Sequence, residues 1–184
     1  MMNIKMLSAS AVIALAIGAG AMAATPPMVG GAPMYPSRNI VQNASHAKNL
    51  TTLVAAVKTA GLVGTLEGPG PFTVFAPTNA AFAALPSGTV QTLLKPENKA
   101  ELTKILTYHV VPGRYTASAL MRDLRQTPGG RVSLTTVEGE PLIISESGGT
   151  LMVTDAKGGT AEVTIADVYQ SNGNVFVINK VLMP

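Results

Sequence analysis

The sequence predicts an α+β domain, with helices packed on a mainly antiparallel wedge of short strands, and three observations carry that expectation. Over residues 39–124 the apolar positions recur mostly at helical spacing, whereas beyond the Pro128-Gly129-Gly130 break they fall in short runs separated by glycine-bearing turns. The run over residues 174–181 is apolar on both faces, so it belongs at the centre of a sheet, beside the strand expected over residues 72–75. Three of the four Phe residues, Phe72, Phe75 and Phe82, fall within residues 70–86, which concentrates the large apolar anchors of a core at one place.

Taken in order, residues 1–23 read as an export signal. Lys5 gives the positive start, residues 7–18 the apolar stretch, and Ala21-Met22-Ala23 a small-x-small site with cleavage expected after Ala23. Residues 24–38 hold Pro26, Pro27, Gly30, Gly31, Pro33 and Pro36, so an extended tether without helix or ladder is expected. Met28, Val29, Met34 and Tyr35 make that tether greasy enough to dock on the domain or to cover an apolar ligand. The domain itself is expected over residues 39–184.

Ile40, Val41, Ala44, Leu50, Leu53, Val54 and Val57 predict two helices divided near residues 46–49, with Gly61 as a C-cap. Pro71 and Pro77 bracket a short strand, and Thr78 or Asn79 is placed to cap the helix that follows. A turn of helix carries Val90, Leu93 and Leu94, and Pro96 opens a longer helix burying Leu102, Ile105 and Leu106. Residues 108–111 read as a strand and residues 116–124 as another helix. Five strands are then expected at residues 132–137, 141–145, 150–154, 162–166 and 174–181. Two glycosylation sequons, at Asn43 and Asn49, are given no role.

Composition excludes several kinds of chemistry. Without Cys there is no disulfide, thiolate catalysis or Cys-based zinc site. The formal charge of +3, one less once Lys5 is lost, is spread without a basic block, which argues against nucleic acid. With His46, His109, Asp123, Asp155 and Asp167 as the whole supply of these types, no catalytic residue, metal ligand or cofactor is assigned. Ser118, His109 and Asp123 could be composed into a triad, yet no nucleophile elbow surrounds Ser118.

The run Phe-Thr-Val-Phe-Ala-Pro-Thr-Asn-Ala-Ala-Phe at residues 72–82 resembles the first signature of the fasciclin-like domain family, with Phe72, Phe75, Pro77, Thr78, Asn79 and Phe82 as its fixed points. Tyr-His-Val-Val-Pro-Gly at residues 108–113 and Asn-Gly-Asn-Val-Phe-Val-Ile-Asn-Lys-Val-Leu at residues 172–182 resemble its middle and final signatures, in that order. The likeness runs from about residue 39 to the C-terminus. It implies a fasciclin-like fold and an exported, non-catalytic adhesion or matrix-interaction module, secreted or periplasmic. The partner it implies is a cell-surface or matrix protein or polysaccharide, with membrane contact only through the export signal.

In animal adhesion members of that family a Tyr-His pair flanked by aliphatics is implicated in integrin binding, a pattern matched by Tyr108 and His109. An acidic-aliphatic pair before the last strand is matched by Asp167 and Val168. From the residues alone, Tyr108 and His109 read as buried groups that satisfy backbone partners, and Asp167 as a turn residue. Some relatives carry carotenoids, so a carrier of an apolar small molecule, covered by Met28, Val29, Met34 and Tyr35, is the alternative.

Overall fold

The computed structural model describes residues 25–184, so the expected export signal lies outside the described residues. In chain order come β1 (Met28–Val29), β2 (Ala32–Pro33), α1 (Ile40–Ala44), α2 (Thr51–Ala60), α3 (Val63–Glu67) and β3 (Phe72–Pro77). Next are α4 (Asn79–Ala83), α5 (Thr89–Leu93), a 3₁₀ turn at Pro96–Asn98, α6 (Lys99–Tyr108), β4 (Val110–Pro112) and α7 (Ala117–Gln126). The strands β5 (Arg131–Thr135), β6 (Pro141–Ser147), β7 (Thr150–Thr154), β8 (Thr160–Gln170) and β9 (Gly173–Ile178) complete it. Helices first and strands last is the expected α+β arrangement.

Seven strands form one sheet in the order β4-β3-β9-β8-β7-β6-β5. Its pairs are antiparallel except β3 with β9, which run parallel from Phe72 opposite Gly173 to Pro77 opposite Ile178. The last strand therefore does lie beside the phenylalanine strand, and all six of its residues are buried. Beyond β5 the chain turns back, and the Val137 N–H donates to the Val110 carbonyl of β4 at 2.8 Å. The sheet thus curls until its two ends meet at one point.

Alternation along β3 divides the interior in two. Val74 and Ala76, with half-buried Phe72, face the helices, in a cluster with Ile40, Leu53, Val57, Phe82 and Leu106. Phe75 faces the other way, into the curl of the sheet, with Phe176, Ile144, Val153 and Ile178, and α7 closes that side with Leu120 and Leu124. The Phe75 and Phe176 rings stack at 5.5 Å. The three clustered phenylalanines therefore serve two cores and not one.

Four local expectations need correction. The tether does carry a ladder, pairing Met28 with Pro33 and Val29 with Ala32, because Gly30 and Gly31 take positive φ and make a tight two-residue turn. Tyr108 ends a helix instead of starting a strand, since apolar Leu102, Ile105 and Leu106 keep α6 amphipathic up to it. A five-residue helix, α3, follows Gly61, where the sequence pattern predicts no element. Strand β8 is longer than expected because a bulge lets it bend without ending; its register against β9 shifts twice between Val163 and Val168.

Phe75→Ala is expected to cost about 3–5 kcal/mol, the range for emptying a fully buried aromatic site, and Phe72→Ala distinctly less because Phe72 is half-buried. Urea denaturation of the two variants measures the difference.

Candidate functional site

The residues marked by sequence do not converge on one pocket. They serve as internal struts, beside an unfilled apolar groove and an exposed aromatic edge.

Tyr108 and His109 sit where α6 gives way to β4, and both are buried. The Tyr108 hydroxyl donates to the Pro141 carbonyl at 3.0 Å and accepts from the Ala156 N–H at 2.8 Å, so it ties α6 to the start of β6 and to the turn between β7 and β8. Burial raises its pKa, and the hydrogen bond from Ala156 opposes that rise. His109 Nδ1 lies 2.8 Å from the Ile105 carbonyl, and Nε2 lies 3.0 Å from the Leu182 N–H. A carbonyl only accepts and an amide only donates, so the proton is on Nδ1 and the lone pair on Nε2 receives Leu182. The ring is neutral and fully committed; burial holds its pKa down at about 4. The C-terminal residues are also pinned by Asp155, whose Oδ2 accepts from the Met183 N–H at 3.0 Å.

Asp167 takes a positive φ of 54° inside the β8 bulge. Its Oδ1 accepts from the Ala117 N–H at 2.8 Å and from Asn174 Nδ2 at 3.0 Å. Thr116 Oγ1 accepts from the Ala119 N–H, so two of the free amides opening α7 are satisfied, and a carboxylate faces the positive end of that helix. Val168 is buried. As folded, then, Tyr108, His109 and Val168 present no side chain to a partner, and Asp167 spends one carboxylate oxygen on the bulge.

The tether docks, but not as a cover over the main opening. Val29 and Met34 are buried over a small apolar pocket shared with Leu50, Ala76, Val168 and Val175, while Met28 and Tyr35 stay exposed. Beneath them Asn43 bonds the backbone of Tyr35 through both of its amide atoms and donates to Gln170 Oε1. Outside that strut, Arg38 stacks on the Tyr35 ring at 4.9 Å, and its carbonyl accepts from the Ser171 N–H. Arg114 reaches the Gln170 carbonyl at 3.3 Å, and exposed Tyr169 precedes it in the chain. Arg38 and Arg114 are thus both tied to the end of β8, Arg38 by its carbonyl to the Ser171 N–H and Arg114 by its guanidinium to the Gln170 carbonyl.

On the helical side an apolar groove remains unfilled, with about 770 Å³ of empty space counting the part open to solvent. Helices α1, α2 and α3 form its walls with Val41, Val54, Val57 and Val63, and Phe72 and Val74 of β3 lie at its floor. Among the described residues Lys58 is the one charged residue that lines it.

The first signature is explained by capping. Thr78 Oγ1 accepts from the Ala81 N–H and caps α4. Asn79 Oδ1 accepts from the Thr52 N–H, while its Nδ2 donates to Thr51 Oγ1 and the Lys48 carbonyl. One residue thus supplies the cap that Leu50 cannot give α2. Pro77 ends β3, and Phe82 locks α4 onto the helical core.

Three polar residues carry more than the sequence suggested. Asn172 receives the Ile40 N–H and donates to the Leu66 and Gly68 carbonyls, fastening α1 and α3 to the β8–β9 turn. Gln170 meets Asn43, and Asp155 gathers the amides of Lys157, Gly159 and Met183. The Asn-Gly turn signal at Asn172 was visible, but its long-range bonds leave no mark in a single sequence. Among the described residues no three of His, Cys, Asp and Glu stand close enough to share a metal. Ser118 bonds Thr116 and Asp123 pairs with Arg122, so the structure does not assemble them with His109.

The model of the fasciclin domain matches residues 48–184. The chain is 50% identical over 145 residues to protein sll1483 of Synechocystis sp., covering 79% of this chain and 73% of that one. It is 40% identical over 146 residues to immunogenic protein MPB70 of Mycobacterium bovis, covering 77% and 66%. Its fold is similar to a FAS1 domain pair from the insect cell adhesion molecule fasciclin I, with a TM-score of 0.71, 18% identity, and coverage of 80% of this chain and 51% of that one.

Because the neutral His109 ring is favoured in the fold and its pKa is depressed from 6.5 to about 4, the unfolded chain binds the extra proton between those values. This contribution to stability is whole above pH 6.5 and is lost as pH falls towards 4. His109→Ala is expected to cost about 1–3 kcal/mol at neutral pH by leaving the Leu182 N–H unpaired, and to flatten the decline in melting temperature over that window. Thermal melts of both proteins from pH 7 to pH 4 check the two effects together.

Proposed function

The chain belongs to the fasciclin domain family, and on that premise we propose that it is an exported adhesion module, acting by surface contact and not by turnover. The observation that carries the reading is the extent of the family match, residues 48–184, onto which the docked β1–β2 arm and α1 are built as part of the same core. The commitment of the His109 ring and the Tyr108 hydroxyl to internal bonds supports a structural role for the Tyr-His pair. The domain arrangement that goes with this is a leader over residues 1–23 cleaved after Ala23, an arm over residues 24–38, and the module over residues 39–184. Among the described residues no helix is long and apolar enough to cross a membrane.

The contact surface in this reading is the exposed edge at the end of β8, formed by Tyr35, Arg38, Arg114 and Tyr169. Tyrosine and arginine are the residue types that most often dominate binding energy, and here both arginines are already oriented, one by a ring and one by a carbonyl. Such an edge suits a cell-surface or matrix protein, or an acidic polysaccharide.

Surfaces coated with the mature domain are expected to hold more cells than surfaces coated with an inert protein of equal charge; equal counts would sink the reading. Replacing Tyr35 and Tyr169 together by Ala should lower apparent affinity roughly fivefold or more while melting stays unchanged, since both rings are substantially exposed. Attachment titrations on the two coatings, with parallel melts, make the comparison.

A further inference from the structure

The groove between α1, α2, α3 and β3 is lined almost wholly by apolar side chains. Its walls are aliphatic, and its polar neighbours are mostly spent. Thr107 Oγ1 is bonded to the Thr103 carbonyl, and both His109 ring nitrogens are bonded inside the fold. Lys58 is different. It lines the groove from the last turn of α2, and among the described residues no carboxylate stands within ion-pair distance of it. A second ammonium, Lys99, reaches the same end of α2, where a Cβ added to Gly61 would lie 3.5 Å from its Nζ. At the other side, where Val137 lines the groove, Lys104 is already paired with Glu138 and Glu140 at 3.7 and 3.8 Å. Among the described residues the groove is therefore an apolar trough with one lining ammonium, Lys58, that has no carboxylate partner.

We propose that this trough binds a long-chain aliphatic carboxylate, its hydrocarbon tail laid over Val41, Val54, Val63 and Phe72 and its head group at Lys58. A neutral hydrocarbon would fill the trough and leave Lys58 without a partner, and a cationic amphiphile would meet repulsion there. A single flexible chain suits walls made of aliphatic side chains, because its affinity comes from area removed from water. The docked arm does not fill the trough, for Val29 and Met34 cover a smaller adjoining pocket that shares Ile40, Ala44, Leu53 and Val74 with it. This site is independent of the adhesive edge at the end of β8.

The test uses the purified full chain and dodecanoate below its micelle-forming concentration, with titration calorimetry as the readout. Saturable binding of one dodecanoate per chain is expected, tightening roughly fourfold for each added methylene until the trough is full. Lys58→Gln should weaken dodecanoate at least fivefold and leave dodecanol binding unchanged. Val54→Lys, at a half-exposed wall position, should abolish both with melting preserved. Absence of saturable dodecanoate binding would overturn the proposal. So would equal affinity for acid and alcohol with no effect of Lys58→Gln, or undiminished binding to a folded Val54→Lys protein.

Discussion

The parallel pairing of β3 with β9 is the constraint on which the rest of the structure depends. It joins Phe72–Pro77 to Gly173–Ile178, so about a hundred intervening residues have to be arranged around a pair of strands with no solvent face. That burial is what makes two cores possible: side chains alternating along the two strands anchor the helices on one side and the curled sheet on the other. It also demands that the backbones approach closely. Gly70 has a positive φ, and a Cβ on it would collide with the Asn172 carbonyl, so the start of β3 and the turn before β9 fit only without a side chain there.

Without cysteine, the long-range joints have to be made by polar side chains, and asparagine does most of this. Its amide donates and accepts at once, so a single residue can satisfy free amides on one element and free carbonyls on another. Asn79 closes α2 from the start of α4, and Asn172 ties α1 to α3 from the far end of the sheet. Asn179 shows the same economy: its Oδ1 takes the Glu162 N–H at 2.9 Å, and its Nδ2 faces the Glu162 carboxylate at 3.5 Å. An aspartate there would keep the first bond and turn the second contact into repulsion, so the neutral residue suits a β8 that carries Glu162.

Much of the fold was legible because period and punctuation agree. Strand β7 starts and stops where its alternation and the flanking glycines say, and Gly61 caps α2 in the left-handed conformation expected of it. Legibility failed where tertiary contacts decide. Tyr108 looks like a strand residue by composition, yet it closes α6, and from there its hydroxyl reaches Pro141 and Ala156, partners far along the chain. The site was less legible than the fold. The sequence marked Tyr108, His109, Asp167 and Val168 without showing the internal bonds and burial that the fold gives them, and it left no mark of the stacking of Arg38 on Tyr35, since that depends on how the arm docks.

The unfilled groove follows from helix length. Helices α1 and α3 have five residues each, little more than one turn, so neither can present a continuous ridge to the sheet as α2 and α6 do. Asn172 holds the two short helices in place through their backbones, which fixes their positions without filling the space between their side chains. The arm closes one part of the resulting gap with Val29 and Met34, and the part beyond Ile40 and Ala44 stays open. Close packing would favour larger side chains at Ala44 or Val54, and with the smaller ones present the groove keeps apolar surface open to water.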